Sequence, residues 1–466
     1  MAVFSVIKLS ELEGVNRIDA EYYKPEYLNL ILKLKQKKSI PLKNLIEQIV
    51  SGSYIDTYFN TGTIYIRVNN IGEYGFDLSD LKFVDANYSK IQNKIRVRKG
   101  DLVLGRTGTI GVTHIVDERL DGAVMSQHIT KIVVDETLID KYYLVAFLNS
   151  VLARKQMERE ALGSMQVELT LNATRNLLVI ILEPEIETKI KDLVKQFYTL
   201  TRQSEILYSQ AETLLLEELG LKELKPRYEK TYTAKLSDAL SAHRIDAEYF
   251  QPAYEEVIEK LKERNIELKP LGKLILGMQK GIEVGSENYQ DEGKLFIRVS
   301  NLSINGFVDR DQKYISEELY EQLKETYEPK LGDFLLTKDA TPGIAYVVKE
   351  QIEGIISSGI LKLKINESEI NKEYLALCIN SLVGKMQVER DGGGSVILHW
   401  KPEQLRRLQI PLLPPLTQQN IAELVLRAHE ARKKAKELLE LAKRAVEIAI
   451  EKNEEEALKY LQIEEV

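Results

Sequence analysis

The sequence predicts an α+β fold in which two similar mixed α/β domains each lead into a long helix. Three observations carry that expectation. Segments of the first half return in the second at offsets of 227 to 232 residues. Within each half, short β-branched and aromatic runs punctuated by glycine and asparagine come first, and helical periodicity follows. Each half then closes on apolar residues spaced alternately by three and four, the pattern of a coiled-coil seam.

The repeat is explicit. Arg17-Ile-Asp-Ala-Glu-Tyr-Tyr23 returns as Arg244-Ile-Asp-Ala-Glu-Tyr-Phe250, and Lys8-Leu-Ser10 as Lys235-Leu-Ser237, both at 227. Tyr65-Ile-Arg-Val-Asn-Asn70 matches Phe296-Ile-Arg-Val-Ser-Asn301 at 231. Gly100-Asp101 matches Gly332-Asp333 at 232; Asn149-Ser150, Gln156 and Gly163-Ser164 match Asn380-Ser381, Gln387 and Gly394-Ser395 at 231. The drift places small insertions in the second copy before Phe296. Size alone would suggest roughly three domains, but the repeat makes the chain two copies of one unit.

Each copy reads in one order. A helix leads in at 22–37 and 249–263. Strands are expected at 63–68, 101–104, 112–116 and 129–134, and again at 295–299, 333–336, 344–348 and 360–365. A helix follows at 140–159 and 372–390, then a Gly-Ser loop, then an apolar strand at 177–182 and 408–413. The closing helices begin at Pro184 and Pro415, where a missing N–H costs least. In the first, Ile190, Leu193, Phe197, Leu200, Ser204, Leu207, Ala211 and Leu214 form the seam. In the second it is Ile421, Leu424, Ala428, Ala431, Ala435, Leu438, Ala442 and Ala445. Large residues dominate one seam and alanines the other, so the two suit close approach; core packing of a single amphipathic helix is the competing reading. Gly220 and Pro226 mark the first helix's end. A helix of about 35 residues spans on the order of 50 Å, a spacer rather than a core. The division is therefore 1–184, 185–228, 229–415 and 416–466.

Composition excludes several classes. Of 466 residues, 44% are hydrophobic and 29% charged, as in ordinary globular chains. One cysteine, Cys378, leaves no disulfide framework or Cys-rich zinc site and fits a reducing cytosol. Five scattered histidines offer no zinc spacing. No apolar run reaches the roughly 18 residues of a membrane span, and the N-terminus has no signal-peptide layout. The net charge of −7 counts weakly against nucleic-acid binding.

Catalytic motifs are wanting. There is no Walker A loop, nucleophile elbow, H-E-x-x-H or C-x-x-C. Gly105-Arg-Thr-Gly108-Thr-Ile-Gly111 follows a strand but continues into another, so it reads as a hairpin loop rather than a phosphate cradle. Its counterpart, Thr337-Lys-Asp-Ala-Thr-Pro-Gly343, keeps one of the three glycines. Asp391-Gly-Gly-Gly-Ser395 reads as a loop. Scaffold positions agree between the copies, whereas polar loop positions differ: Arg106/Lys338, Thr107/Asp339, Gln127/Ser358, His128/Gly359. That suits two recognition heads with different targets, or drift of exposed loops.

The order of head, long helix, head, long helix resembles the DNA-specificity subunit of type I restriction–modification systems. Ser51-Gly-Ser53 with Thr63-Ile-Tyr-Ile-Arg-Val68 resembles that family's opening loop and strand. Gly100-Asp101-Leu-Val-Leu with Gly108-Thr109-Ile-Gly111 resembles its hairpin. Ile410-Pro-Leu-Leu-Pro-Pro-Leu-Thr-Gln-Gln419 resembles its run into the long helix; Leu182-Glu-Pro184 keeps one proline of that motif. The missing glycine opposite Gly108 puts a shared loop geometry in doubt.

The resemblance implies two target-recognition domains related by a pseudo-twofold and separated by two antiparallel coiled-coil helices. It implies a non-catalytic, cytoplasmic subunit whose partners are double-stranded DNA, two methyltransferase subunits and restriction subunits. Each head would read one half of a bipartite site. S-adenosylmethionine, ATP and Mg would be bound by the partners and none by this chain. Candidate base readers are Arg106, Thr107, Gln127 and His128 in the first head and Lys338, Asp339 and Ser358 in the second. Arg67, Asn70, Arg298 and Asn301, retained in both, suit phosphate contact or turn formation. Ile190, Leu193, Phe197, Leu200, Leu207, Leu214, Ile421, Leu424 and Leu438 are assigned to helix pairing and subunit docking. A homodimer of the isolated chain is left open. So are a coiled-coil scaffold whose two heads bind no DNA, and an enzyme with unrecognised sites.

Overall fold

The computed structural model describes residues 5–8, 12, 17–85, 93–161, 167–309, 311–392 and 399–464. It divides into two compact units, Met1–Thr201 with Arg432–Val466, and Arg202–Ala431. Gly163-Ser164, Gly394-Ser395 and part of Lys8-Leu-Ser10 lie outside the described residues.

In the first unit, helix Pro25–Gln36 starts on its proline at the first turn and buries Leu30 and Leu34. A four-stranded antiparallel sheet follows, in the order Ile46–Ser51, Ile129–Val134, Leu102–Gly105, Thr113–Ile115. A smaller sheet places Thr63–Ile66 between Lys82–Val84, antiparallel, and Val124–Met125, parallel. Strand alternation divides the core. Leu102 and Leu104 face the helical layer with Tyr143, Leu144 and Phe147, while Val103 faces the smaller sheet with Tyr65, Ile66 and Val124. Both faces are covered, which explains the nearly unbroken apolar runs.

The second unit repeats this plan strand for strand. Its four-stranded order is Ile275–Lys280, Ile360–Ile365, Phe334–Thr337, Ala345–Val347. Its smaller sheet is Lys313–Ile315, Lys294–Ile297, Gly354–Ile356. Phe334 and Leu336 again face the helices and Leu335 the small sheet. The helix Glu317–Tyr327, capped by Ser316, is an element that the sequence reading did not anticipate.

The repeated Asn-Ser and Gln residues acquire physical reasons. The expected helix 140–159 is two helices, Lys141–Asn149 and Val151–Glu160, because Ser150 turns extended and its Oγ accepts the Ala153 N–H. Lys372–Asn380 and Leu382–Gly392 break likewise at Ser381. Asn149 Oδ1 accepts the Thr113 N–H at 3.1 Å and its Nδ2 donates to the Thr113 carbonyl at 2.8 Å; Asn380 does the same to Ala345 at 2.9 and 2.8 Å. Gln156 clasps both backbone groups of Leu178, and Gln387 both of Gln409. Each amide extends a β-type ladder from a helix to an edge strand.

The long helices are Pro184–Glu218 and Pro415–Glu451. The first ends at Gly220, whose φ of +69° permits the reversal and the Leu221 N–H to Leu216 carbonyl bond. The second stops earlier than expected: Asn453 caps a separate helix, Glu454–Glu464, which returns Ala457 and Leu461 to the first unit's core. In the first unit Ile190, Val194 and Phe197 share a core with Ala435, Leu439, Ala442 and Val446. In the second, Ala211 and Leu215 share one with Ile421 and Val425. The N-terminal part of each helix thus meets the C-terminal part of the other, the antiparallel sense.

The seams need correcting in register. Leu200, Leu214, Leu424 and Leu438 are only half-buried, and Val425 and Leu439 take the inner places beside two of them. Each helix must cover a head as well as its partner, so the buried stripe is wider than two positions per heptad. Docking is also corrected for the innermost residues. Ile190, Phe197 and Ile421 are fully buried, and Leu193 and Leu207 nearly so; they pair helices and present nothing to another subunit.

Candidate nucleic-acid interface

In the first head, three loops converge at one end of the four-stranded sheet. Gly52 donates to the Ile129 carbonyl and Ser53 to that of Met125, which lays the 51–53 turn against the 126–128 turn. A Cβ on Gly52 would lie 2.1 Å from the Ser126 carbonyl oxygen, so only glycine permits this approach. The hairpin loop after Leu102–Gly105 joins them through Arg106. Its N–H donates to the His128 carbonyl and its carbonyl accepts from Leu169.

The second head builds the same cluster. Gly281 donates to the Ile360 carbonyl, and a Cβ there would meet the Ser357 oxygen at 2.2 Å. The Lys338 N–H donates to the Gly359 carbonyl, and its own carbonyl accepts from Trp400 at 2.7 Å. The doubt over the hairpin is resolved in favour of shared geometry. Ala340 stands opposite Gly108 and adopts φ of +58° against +68°; Gly111 and Gly343 both lie at +89°. An alanine is held in a glycine conformation by the loop around it, at a cost of roughly 1–2 kcal/mol.

On this common frame the side chains differ, and several expected readers prove to be frame. Arg106 is buried, with Nε on the Leu169 carbonyl at 2.8 Å, Nη1 on Ser51 Oγ at 2.5 Å and the Gln127 carbonyl at 3.1 Å, and Nη2 paired to Glu168 at 2.8 Å. Its donors and charge are consumed within the head. Thr107 is buried as well. Asn70 and Asn301 are buried; each accepts from the backbone N–H three residues before it, of Arg67 and Arg298, and closes a 3₁₀ turn. Of their two expected roles, turn formation matches this geometry. Arg67 and Arg298 pair with Asp80 at 2.6 Å and Asp311 at 2.8 Å, so their charge is already balanced.

Gln127 and His128 remain at the tip of the first head, exposed and half-buried, with Gln127 Nε2 3.2 Å from His128 Nε2. Tyr54 and Phe59, 68% and 49% exposed, belong to the segment that leaves this turn. Sequence reasoning missed both; the signal was an aromatic run, Tyr54 to Phe59, between two strands with no core to fill. In the second head Lys338 and His399 grip opposite oxygens of Asp339, at 2.5 and 2.9 Å. Burial would raise the Asp339 carboxyl, but those two hydrogen bonds outweigh it and hold it below the ordinary carboxylate range. Ser358 Oγ donates to Glu283 at 2.8 Å. His399 is the most outward of these and was also missed, because its partner lies 60 residues away.

The tips are thus amide, imidazole and aromatic groups in one head and a Lys–Asp–His chain in the other. Such groups offer donors and acceptors to base edges. Among the described residues no group of three His, Cys, Asp or Glu side chains could hold a metal ion, and no helix is long and apolar enough to cross a membrane.

Residues 31–207 match the type I restriction modification DNA specificity domain. No curated protein matches the chain. Among solved structures, the type I restriction–modification S subunit from M. genitalium is similar over 91% of this chain and 95% of its own, at 14% identity and a TM-score of 0.33. The HsdS subunit from Thermoanaerobacter tengcongensis is similar over 89% and 96%, at 16% identity and a TM-score of 0.29.

Proposed function

We propose, from the match of residues 31–207 to the type I restriction modification DNA specificity domain, that the chain is a DNA-specificity subunit whose two heads read the two different halves of a bipartite DNA site. One observation carries this reading. Both heads hold the same three-loop cluster in the same backbone geometry, and present different polar groups at its tip. A shared frame delivers each tip to a groove in the same way, and the differing groups select different bases. Gln127, His128 and Tyr54 act in the first head, and His399, Ser358 and Lys338 in the second. The alternative of a scaffold without DNA binding is not favoured by the family match.

The chain is a specificity subunit rather than a catalyst. Two methyltransferase subunits would join it, with restriction subunits beyond them, in the cytoplasm. S-adenosylmethionine, ATP and Mg would be bound by those partners. The antiparallel helices would set the separation of the half-sites, about one DNA turn or a multiple of it.

The test is the methylated motif of the reconstituted complex, read genome-wide. Gln127→Ala with His128→Ala should relax one half of the motif and leave the other intact; His399→Ala should do the converse. Loss or retention of both halves together in either variant would refute the assignment.

A further inference from the structure

Each head meets the first part of its long helix through one histidine and one tyrosine, and the two copies place them oppositely. In the first unit the histidine belongs to the head and the tyrosine to the helix: His114 and Tyr198 stand edge to face, ring centres 6.2 Å apart. In the second the tyrosine belongs to the head and the histidine to the helix: Tyr346 and His429 meet at 5.8 Å, again edge to face. The positions are equivalent. His114 stands opposite Val103 and Tyr346 opposite Leu335 in matched strand pairs, and Tyr198 and His429 lie equally far past Pro184 and Pro415. Phe76 and Phe307, in matched hairpins, each close on the head's ring at 5.8 Å.

The neighbours change in step. Ile190, Leu193 and Val194 recur on the second helix as Ile421, Leu424 and Val425, but Phe197 becomes Ala428. Phe197 stacks on the smaller ring, His114, with centres 6.2 Å apart. In the unit with the larger ring the helix carries Ala428, and aromatic bulk comes instead from Tyr208, 6.4 Å from His429; the residue matching Tyr208 in the first unit is Leu439. Polar partners differ as well. His114 Nε2 lies 2.8 Å from the Gly72 carbonyl and 3.1 Å from the Gly75 N–H, and Nδ1 lies 3.3 Å from the Tyr198 hydroxyl, which accepts the Ile115 N–H at 3.0 Å. The Tyr346 hydroxyl accepts the Lys349 N–H at 3.3 Å.

Either ring therefore suits either place only when its partner changes too. His114 facing a histidine would lose the hydroxyl that serves both its Nδ1 and the Ile115 N–H. A tyrosine facing Tyr198 and Phe197 would overfill the joint. We infer that each head is keyed to its own helix by a histidine–tyrosine pair, and that His114, Tyr198, Tyr346 and His429 are positioning residues which set the angle at which each tip meets DNA. This rests on the specificity-subunit reading. None of the four belongs to a tip. His114 and Tyr346 lie on strands of the same four-stranded sheets that hold the tip loops, so a rotation at the joint is carried to those loops through a close-packed core.

The experiment places the second unit's residues in the first, in the full chain with its methyltransferase. The methylated motif is read on protein that thermal melts show to be folded at the assay temperature. Phe197→Ala, Tyr198→His and Leu439→Tyr together leave His114 facing a histidine. Methylation should fall by about tenfold or more, the scale of one orphaned buried hydrogen-bonding group, and discrimination should relax at the first half-site only. His114→Tyr alone should do the same. Added to the three helix changes, that same His114→Tyr should restore methylation to within about twofold of wild type, the scatter expected of independent changes. If the three-change chain does not fold, the reciprocal set decides: Tyr346→His should relax the second half-site, and His429→Tyr with Ala428→Phe and Tyr208→Leu should restore it. The inference is overturned by unchanged methylation in the mismatched variants, by equal loss from His114→Tyr on either helix, or by restored melting temperature without a restored half-site. A wild-type complex that methylates no two-part motif would instead refute the underlying reading, and the inference with it.

Discussion

Single atoms decide whether the loop clusters form. At Gly52 and Gly281 the space for a Cβ is taken by a backbone carbonyl at 2.1 and 2.2 Å, and backbone cannot move aside as a side chain can. Gly52→Ala and Gly281→Ala should each cost about 1–3 kcal/mol in denaturant unfolding. Each should also degrade only its own head's half of the methylated motif. His114 marks a second difference between the heads. Its ring is fully buried, Nε2 lies 2.8 Å from the Gly72 carbonyl, and the matched residue is Tyr346. Burial pushes the imidazole below its ordinary 6.5, with the Gly72 carbonyl opposing. The unfolded chain therefore binds a proton that the folded head excludes. The stability due to neutral His114 is complete above about pH 6.5 and is lost as pH falls below it. Thermal melts from pH 7.5 to 5.5 should show the first unit losing stability first, and His114→Tyr should flatten that slope.

At the scale of elements, the long helices show what a heptad pattern conveys and what it omits. The 3-4 spacing marks two helices with apolar stripes, and Pro184, Pro415 and Gly220 mark three of their four ends. It does not say that the stripe must also cover a head, and so it misplaces the inner row at Leu424 and Leu438. Phe197 sits where helix, head and the alanine-rich partner segment share one core, and is fully buried. Phe197→Ala should lower unfolding stability by about 3–5 kcal/mol. Leu438→Ala, at a half-buried flank, should cost clearly less. Inserting seven residues into both helices adds about 10 Å at 1.5 Å per residue. The spacer in the methylated motif should lengthen by about three base pairs at 3.4 Å each, with both half-sites unchanged.

For the whole molecule, charge sets the terms of binding. Residues 1–184 carry +1, 185–228 carry −1, 229–415 carry −5 and 416–466 carry −2. No segment is strongly basic, and arginines at the heads are spent on Glu168, Asp80 and Asp311. Non-specific affinity comes largely from phosphate neutralisation. The isolated chain should therefore bind duplex DNA weakly and with a shallow salt dependence, and the methyltransferase partners should raise both affinity and slope. Titration by fluorescence anisotropy at 50 and 200 mM salt checks this; tight, steeply salt-sensitive binding by the chain alone would refute it.

What the sequence determined by itself was the duplication, the two long helices and part of the order of strands and helices in each copy; the strands Ile46–Ser51 and Ile275–Lys280, which open each four-stranded sheet, were not legible in it. The legible features are local facts, since periodicities of 2 and 3.6 and a repeated string of residues need no knowledge of distant contacts. The tertiary structure alone decided which polar side chains face outward. Arg106 looked like a reader until Leu169, 63 residues on, closed over its guanidinium. His399 looked like nothing until Asp339 drew it to the tip. Burial and partnership depend on what the fold brings together across the chain, and spacing along one segment does not encode that.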